Sequence, residues 1–282
     1  MDEILVRVRT EIEAAKAERS RDQLAAMIDN TPEIRSLSGS LGDEFGLIAE
    51  IKVRAPSRGE MRAENVEQAP MAYDRSHVVK AISVLTNRAD FGMSIERLRE
   101  IKLQTCKPVL RKEFIIDPYQ IWEARAFGAD AVLLMTQKAS TDELQRLHDL
   151  AYELGMEVLI ESRTEAELLK VPADAVILGI NTRDMLAPSD LYKQSRTCAA
   201  QSGRDLSTDM KTLENIRYLP ENVIRVAESG IDPSTICKVR DLGYNAALIG
   251  SDILLNEDGV DSALGLYEKA LGNDEGPTGI AH

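Results

Sequence analysis

Eight short apolar runs, each followed by a helical pattern, constrain this chain more than any other feature. They are LIAEI (47–51), VVKAISVL (78–85), PVLRKEF (108–114), AVLLM (131–135), EVLIES (157–162), AVILGIN (175–181), VIRVAES (223–229) and AALIG (246–250). Between them lie helical segments such as SIERLREIKLQ, DPYQIWEARAFG and STDELQRLHDLAYELG, several of them opened by Asp or Ser and closed by Gly. Eight strand–helix units predict an α/β fold, the closed (β/α)8 or TIM barrel, and 282 residues suffice for one. An open doubly wound sheet is the rival. No G-x-G-x-x-G follows the first run, so its dinucleotide signature is missing.

Ahead of the first run, Ile4, Leu5, Val8, Ile12 and Ala15 recur at helical spacing. This predicts an N-terminal extra helix in a helical extension over 1–46, packed on a barrel domain over 47–271. The end, GNDEGPTGIAH, reads as a flexible tail over 272–282. The polar stretch 184–208 is long for a strand–helix connection and is expected to be an elaborated loop.

Bulk composition excludes several functions. Against 34 basic residues stand 47 acidic ones, a formal charge of −13, which is a poor field for nucleic acid or an anionic membrane surface. An anionic substrate therefore requires a locally basic pocket. Cys106, Cys198 and Cys237 are far apart, without a C-x-x-C pair or neighbouring histidines, so no metal is expected and the thiols read as reduced, in a cytoplasmic protein. No apolar run reaches the roughly 20 residues of a membrane span. The charged N-terminus is unlike a signal peptide.

A parallel barrel works at the C-terminal ends of its strands, and the polar residues there form a suggestive set. The first run ends with Glu50 and Lys52, the third with Lys112, the fifth with Glu161, the sixth with Asn181 and Arg183, and the seventh with Glu228 and Ser229. Any one of these is equally explained as a rim ion pair. Glu50 and Lys52 share a strand parity, so both can face the mouth. Lysines and glutamates converging there would shift one another's protonation, which suits acid and base work. After the seventh and eighth runs, AESG and IGSD supply Gly230, Gly250 and Ser251, with Ser251 a candidate helix N-cap, where barrels often bind phosphate.

Together IAEIKVRAPSRG, AISVLTNRADFG, PVLRKEFIIDPYQIWEARAFGADAVLLM, GMEVLIES, LGINTRD, VIRVAESGI and ALIGSDIL resemble the indole-3-glycerol phosphate synthase family, over about 47–255. The resemblance implies ring closure of 1-(2-carboxyphenylamino)-1-deoxyribulose 5-phosphate with loss of carbon dioxide and water, in tryptophan biosynthesis, without cofactor or metal. It also implies a small phosphorylated substrate and, as a further expectation, weak association with other enzymes of that pathway. By the same resemblance Lys112 is the principal acid and Glu161 the later base; Lys52 holds a substrate carboxylate and shares acid duty, with Glu50 orienting the lysines. Asn181 hydrogen-bonds substrate, Arg183 grips the anthranilate carboxylate, Glu228 and Ser229 complete the polar wall, and Ser57 lies in the binding loop. Phe91 and Phe114 are candidates to clamp the aromatic ring, and Gly230, Gly250 and Ser251 to cradle phosphate.

Two departures stand out. The family's first loop reads lysine, two residues, then Ser-Pro-Ser; here Ala55 replaces the first serine. Losing one hydrogen bond to a charged group costs about 1.5–3 kcal/mol unless backbone groups, Arg54 or Arg58 compensate. The Gly-Gly-Ser expected after the second run is Gly92, Met93, Ser94. In addition, RDLST at 204–208 resembles what normally follows the asparagine directly, so Arg204 rivals Arg183 as carboxylate binder. The alternatives to a synthase are a paralogue acting on a modified anthranilate derivative and a silent barrel that binds a partner. A scaffold would have no need of all seven charged and amide residues at the mouth.

Overall fold

In the computed structural model, residues 2–137, 139–184 and 208–272 are described. The polar stretch after the sixth run lies, apart from its two ends, outside them, as do Arg204, Cys198 and the tail from 273. Eight parallel strands close into a barrel: β1 (Gly46–Ile51), β2 (Val79–Leu85), β3 (Val109–Lys112), β4 (Ala131–Met135), β5 (Glu157–Ser162), β6 (Ile177–Asn181), β7 (Ile224–Glu228) and β8 (Ala246–Ile249). Each pairs with its sequence neighbours, and β1 closes the ring on β8, with Gly46 opposite Ala246. Each of the eight runs contributes a strand. Leu47, Ile48, Ile82, Leu110, Leu134, Ile160 and Ile180 are fully enclosed, because one strand face fills the barrel and the other packs on helices.

Helix boundaries follow local chemistry. Asp117 caps the helix Pro118–Ala126 in a capping box with Gln120, and proline takes the first turn, where its missing N–H costs nothing. Ser140 and Glu143 form the same box at Thr141–Glu153. Both helices run into a glycine in the left-handed region, Gly128 (φ 92) and Gly155 (φ 81), which turns the chain into the next strand.

The segment ahead of β1 holds three helices, α1 (Asp2–Glu18), α2 (Arg21–Ile28) and α3 (Leu37–Gly42), where periodicity had singled out the first. Ser20, Gln23 and Ser36 supply the caps that separate them. Val8 and Ile12 of α1 are buried, and the single hydroxyl of Tyr119 is shared between Ala15 O (2.8 Å) and Arg19 O (2.9 Å), so α1 lies against the helix after β3. At the opposite end, α3 buries Leu37 and Leu41, and the backbone N–H groups of Leu37 and Ser38 meet the Glu157 carboxylate at the start of β5. Asp130 ties the same end together, accepting from Val109 N (2.6 Å), Arg35 N (2.8 Å) and Lys102 Nζ (2.5 Å). Lys102 and Asp130 are both enclosed, and each is satisfied by the other.

Candidate active site

Lys112 is the last residue of β3, and its side chain enters the barrel mouth. Its Nζ lies 3.0 Å from Glu228 Oε2, 3.8 Å from Glu50 Oε2 and 3.8 Å from Glu161 Oε2. Those carboxyls come from the ends of β7, β1 and β5, so four strands converge on one ammonium. Lys52, one residue beyond β1, donates to Glu50 Oε1 at 2.5 Å. Glu50, Lys52, Glu161, Asn181 and Glu228 are all buried, Glu228 completely.

Charge balance decides how each group titrates. Two unit charges 4 Å apart attract by roughly 4 kcal/mol at an effective dielectric of about 20, which outweighs a moderate desolvation cost when several partners act together. Burial pushes Lys112 down, but Glu228, Glu50 and Glu161 overcome it and hold the ammonium above its ordinary range. For Glu50, burial pushes up while Lys52 and Lys112 pull further down, leaving the carboxyl below its ordinary value. Lys52 goes the other way: burial lowers it, and Glu50 only partly restores it.

Burial prevails at Glu228: loss of solvent, only partly opposed by Lys112 and reinforced by Glu161, pushes it up to about 8. As a carboxylate, Glu228 leaves Oε1 without a hydrogen-bond partner among the described residues; protonated, it bonds to Glu161. Lys52, Lys112 and Arg183 gather at the mouth of a chain whose net charge is −13, a local concentration of cationic side chains such as an anionic ligand requires.

Two glycines make this cluster possible. A Cβ on Gly179 of β6 would sit 2.2 Å from Glu228 Oε1, and one on Gly250 after β8 would sit 2.7 Å from Glu50 Oε1. Gly179 escaped the sequence reading, since a glycine inside an apolar run signals close approach without naming the neighbour. Tyr73 escaped it too; its enclosed hydroxyl donates to Glu50 O at 3.4 Å, beneath the Lys52 pair.

The remaining candidates fall around the cluster. Asn181 ends β6 opposite Glu228, and its Oδ1 accepts from Arg183 N at 2.9 Å. Arg183 reaches across the mouth to donate from Nη1 to Ser57 Oγ at 2.8 Å. Its backbone bridges Thr208, so the chain departs and returns at adjacent positions. Phe91 and Phe114 stand together, ring centroids 6.4 Å apart and planes 33° apart. Ser229 adopts φ 69, unusual for a residue with a side chain, followed by Gly230 at φ 69, and Thr182 Oγ1 secures this turn by donating to Ser229 O at 2.9 Å.

One expectation is corrected. Ser251 is not the N-cap of the helix Ser251–Leu254; Gly250 is, at φ −138 and ψ −68, with no side-chain cap bond. Ser251 is already helical, so its N–H belongs to the first turn. As for metal-type ligands, among the described residues His148, Asp149 and Asp174 bring ligand atoms within 4.8 Å of one another. They lie on the helix Thr141–Glu153 and the turn before β6, away from the mouth.

A closed parallel barrel whose strand tips surround one lysine with three carboxyls has the architecture of the barrel enzymes, with groups suited to acid and base work at the end where such enzymes carry their sites. Sequence comparison narrows the class. The family model for indole-3-glycerol phosphate synthase matches residues 1–196. An indole-3-glycerol phosphate synthase of Bacteroides thetaiotaomicron is 33% identical over 260 residues, covering 90% of this chain and 92% of that one. One from Chloroherpeton thalassium is 34% identical (91% and 95% covered), and one from a Thermoanaerobacter species is 32% identical (96% and 98%). The chain belongs to the indole-3-glycerol phosphate synthase family. Among solved structures, 3-hexulose-6-phosphate synthase from Salmonella typhimurium shares the fold, with a TM-score of 0.58 at 16% identity over 82% of this chain and 99% of that one.

Proposed function

We propose that this chain is a carboxy-lyase that closes the pyrrole ring of 1-(2-carboxyphenylamino)-1-deoxyribulose 5-phosphate, releasing carbon dioxide and water to give indole-3-glycerol phosphate. The observation that carries the reading is the Lys112 ammonium held among Glu50, Glu161 and Glu228. Ring closure needs an aromatic carbon to attack a ketone, so a donor must meet the carbonyl oxygen as it gains charge. Lys112, kept protonated by its carboxylates, is that donor. Loss of the carboxyl group then restores a neutral ring carbon, and departure of the hydroxyl as water calls for an acid and a base. Glu161 serves as base.

Lys52, whose charge is paired with Glu50, shares acid duty and holds a substrate carboxylate. Glu50 orients both lysines, and Asn181 hydrogen-bonds substrate. Arg183 offers a planar fork for the anthranilate carboxylate, with Ser57 beside it. Phe91 and Phe114 clamp the ring. Glu228 and Ser229 complete the polar wall, Glu228 as a neutral acid near pH 7. Gly230, Gly250 and Ser251 present backbone N–H groups to the phosphate, in the place after strands β7 and β8 that barrels use for this purpose.

The chain acts in the cytoplasm on this reading, which is supported by three scattered cysteines and, among the described residues, by the lack of any helix long and apolar enough to cross a membrane. Weak association with other enzymes of the same pathway rests on the family resemblance alone. The test is indole fluorescence from purified protein supplied with the carboxyphenylamino-deoxyribulose phosphate, with Lys112→Ala as control. Signal from the unaltered chain alone supports the reading; a folded protein that gives none overturns it.

A further inference from the structure

Behind Lys112, on the outer side of β3, lies a second polar cluster that the catalytic reading does not use. Arg111 and Glu113 flank Lys112 in the chain and share the opposite parity, so they point outward, beneath α1, while Lys112 enters the mouth. Arg111 donates from Nη2 to Glu123 Oε2 (2.6 Å), from Nη1 to Gln120 O (2.7 Å) and from Nε to Thr86 Oγ1 (3.1 Å). Thr86 Oγ1 in turn donates to Glu113 Oε2 at 2.8 Å, and Phe114 N donates to Glu113 Oε1 at 2.8 Å. Thr86, Arg111, Glu113 and Glu123 are all buried.

This cluster is the floor of a cavity of about 280 Å³ between α1 and the barrel. Five carboxyls of the described residues line it, and three of them have guanidinium partners: Glu123 with Arg111, Glu18 with Arg19 at 2.8 Å, and Glu96 with Arg88 at 3.3 Å. The other two, Glu11 and Glu113, have no ion pair among the described residues. Glu11 of α1 accepts from uncharged donors, Ala89 N at 3.1 Å and Asn87 Nδ2 at 3.5 Å. Glu113 is only 6% exposed, so water does little for its charge. Burial pushes its carboxyl up and the charge of Glu11 adds to that, while Arg111, Phe114 N and Thr86 pull the other way. A buried carboxyl without a counter-charge takes either a proton or a cation.

The rest of the lining narrows the kind of cation. Val8, Ile12 and Ala15 of α1, with Ile95 beside them, give the cavity an apolar wall. At roughly 30 Å³ per water, the space is several times larger than a bare monovalent ion needs. An alkyl chain laid on that wall leaves water, which is favourable in proportion to the area covered. We propose that this cavity binds a small aliphatic diamine, with one ammonium at Glu113 on the floor, the other at Glu11, and the methylenes along Val8 and Ile12. Two carboxyls without cationic partners match two ammonium groups, and the apolar wall matches the chain between them. The site is separate from the mouth, and the proposal does not rest on the ring-closure reading.

The experiment titrates the full chain with 1,4-diaminobutane in a calorimeter at fixed ionic strength. One saturable site with a dissociation constant below about 1 mM is expected, weakened at least about tenfold in Glu113→Gln and in Glu11→Gln. Butane-1,4-diol, which has the same chain without the charges, is expected to give no saturable heat. Absence of saturable binding by the diamine up to about 10 mM overturns the proposal, and so does equal binding of the diol. Binding that Glu113→Gln leaves unchanged also overturns it, since the amine would then be held elsewhere on a chain of net charge −13. Should Glu113→Gln fail to fold, Glu11→Gln, at a half-buried position, is read by the same tenfold criterion. The titration needs no substrate, so its outcome is distinguishable from success or failure of the ring-closure reading.

Discussion

Lys112 and Glu228, 116 positions apart in the chain, meet at 3.0 Å inside the barrel mouth, where Glu228 has no access to solvent. The surrounding carboxyls hold the lysine in its acid form, while burial, against the pull of Lys112, pushes the glutamate toward its neutral one. On the proposed reading Lys112 is the donor to the substrate, backed by a carboxyl that can carry a proton at neutral pH.

Removing that donor tests the arrangement directly. Lys112→Ala and Glu161→Gln are each expected to lower turnover by at least about a hundredfold, as loss of a general acid or base does, with the far-ultraviolet dichroism of the native fold retained. Initial rates within a few fold of the unaltered chain would remove both residues from the chemistry.

Glu228 predicts a pH dependence of stability. Its folded value, about 8, lies above the ordinary 4.5, so between those limits the native state holds a proton that the unfolded chain has released. Stability attributable to this group therefore falls as pH rises through that window, and the cost is complete above it. Glu228→Gln is uncharged throughout, so the difference in urea midpoint between the two proteins should shift in favour of the variant from pH 5 toward pH 8.5, by about the factor that linkage allows. A difference that stays flat with pH refutes the assignment.

Gly179→Ala places a methyl 2.2 Å from Glu228 Oε1 in the native geometry. Either strand or carboxyl must move, at about 1–3 kcal/mol of stability by analogy with overpacked cores, and turnover should fall because Glu228 backs Lys112. Thermal midpoint and kcat measured on the same preparation give both readings. Normal values for both would mean that the glycine makes no room the site needs.

Arg183→Ala should raise KM by about tenfold or more with a smaller change in kcat, the signature of a lost binding contact. If Arg204→Ala produces that effect and Arg183→Ala does not, the carboxylate is held from the 185–207 segment instead.

The strands were readable because short apolar runs such as AVLLM carry no polar face to turn toward water and alternate with amphipathic helical segments. The strand ends were readable because a parallel barrel gathers them on one side, which singled out Glu50, Lys112 and Glu161 before any distance was known. Individual roles came from the family resemblance rather than from spacing. Helices α2 and α3 went unnoticed, since short capped helices such as Leu37–Gly42 have too few turns to show periodicity. Ser251 misled because a serine after a glycine reads as a cap, whereas the backbone at Gly250 already makes the entry to the helix.

By itself the sequence determined the barrel and the residue types that gather at the C-terminal ends of its strands, because hydrophobic period and strand parity are local properties. Tertiary structure alone decided which carboxyl meets Lys112, that Gly179 and Gly250 leave room for Glu228 and Glu50, and that α1 grips the turn before Phe91. Those relations join residues some 50 to 200 positions apart. They exist only once β8 closes on β1, and with them come the burial and charge proximity that set each proton's affinity.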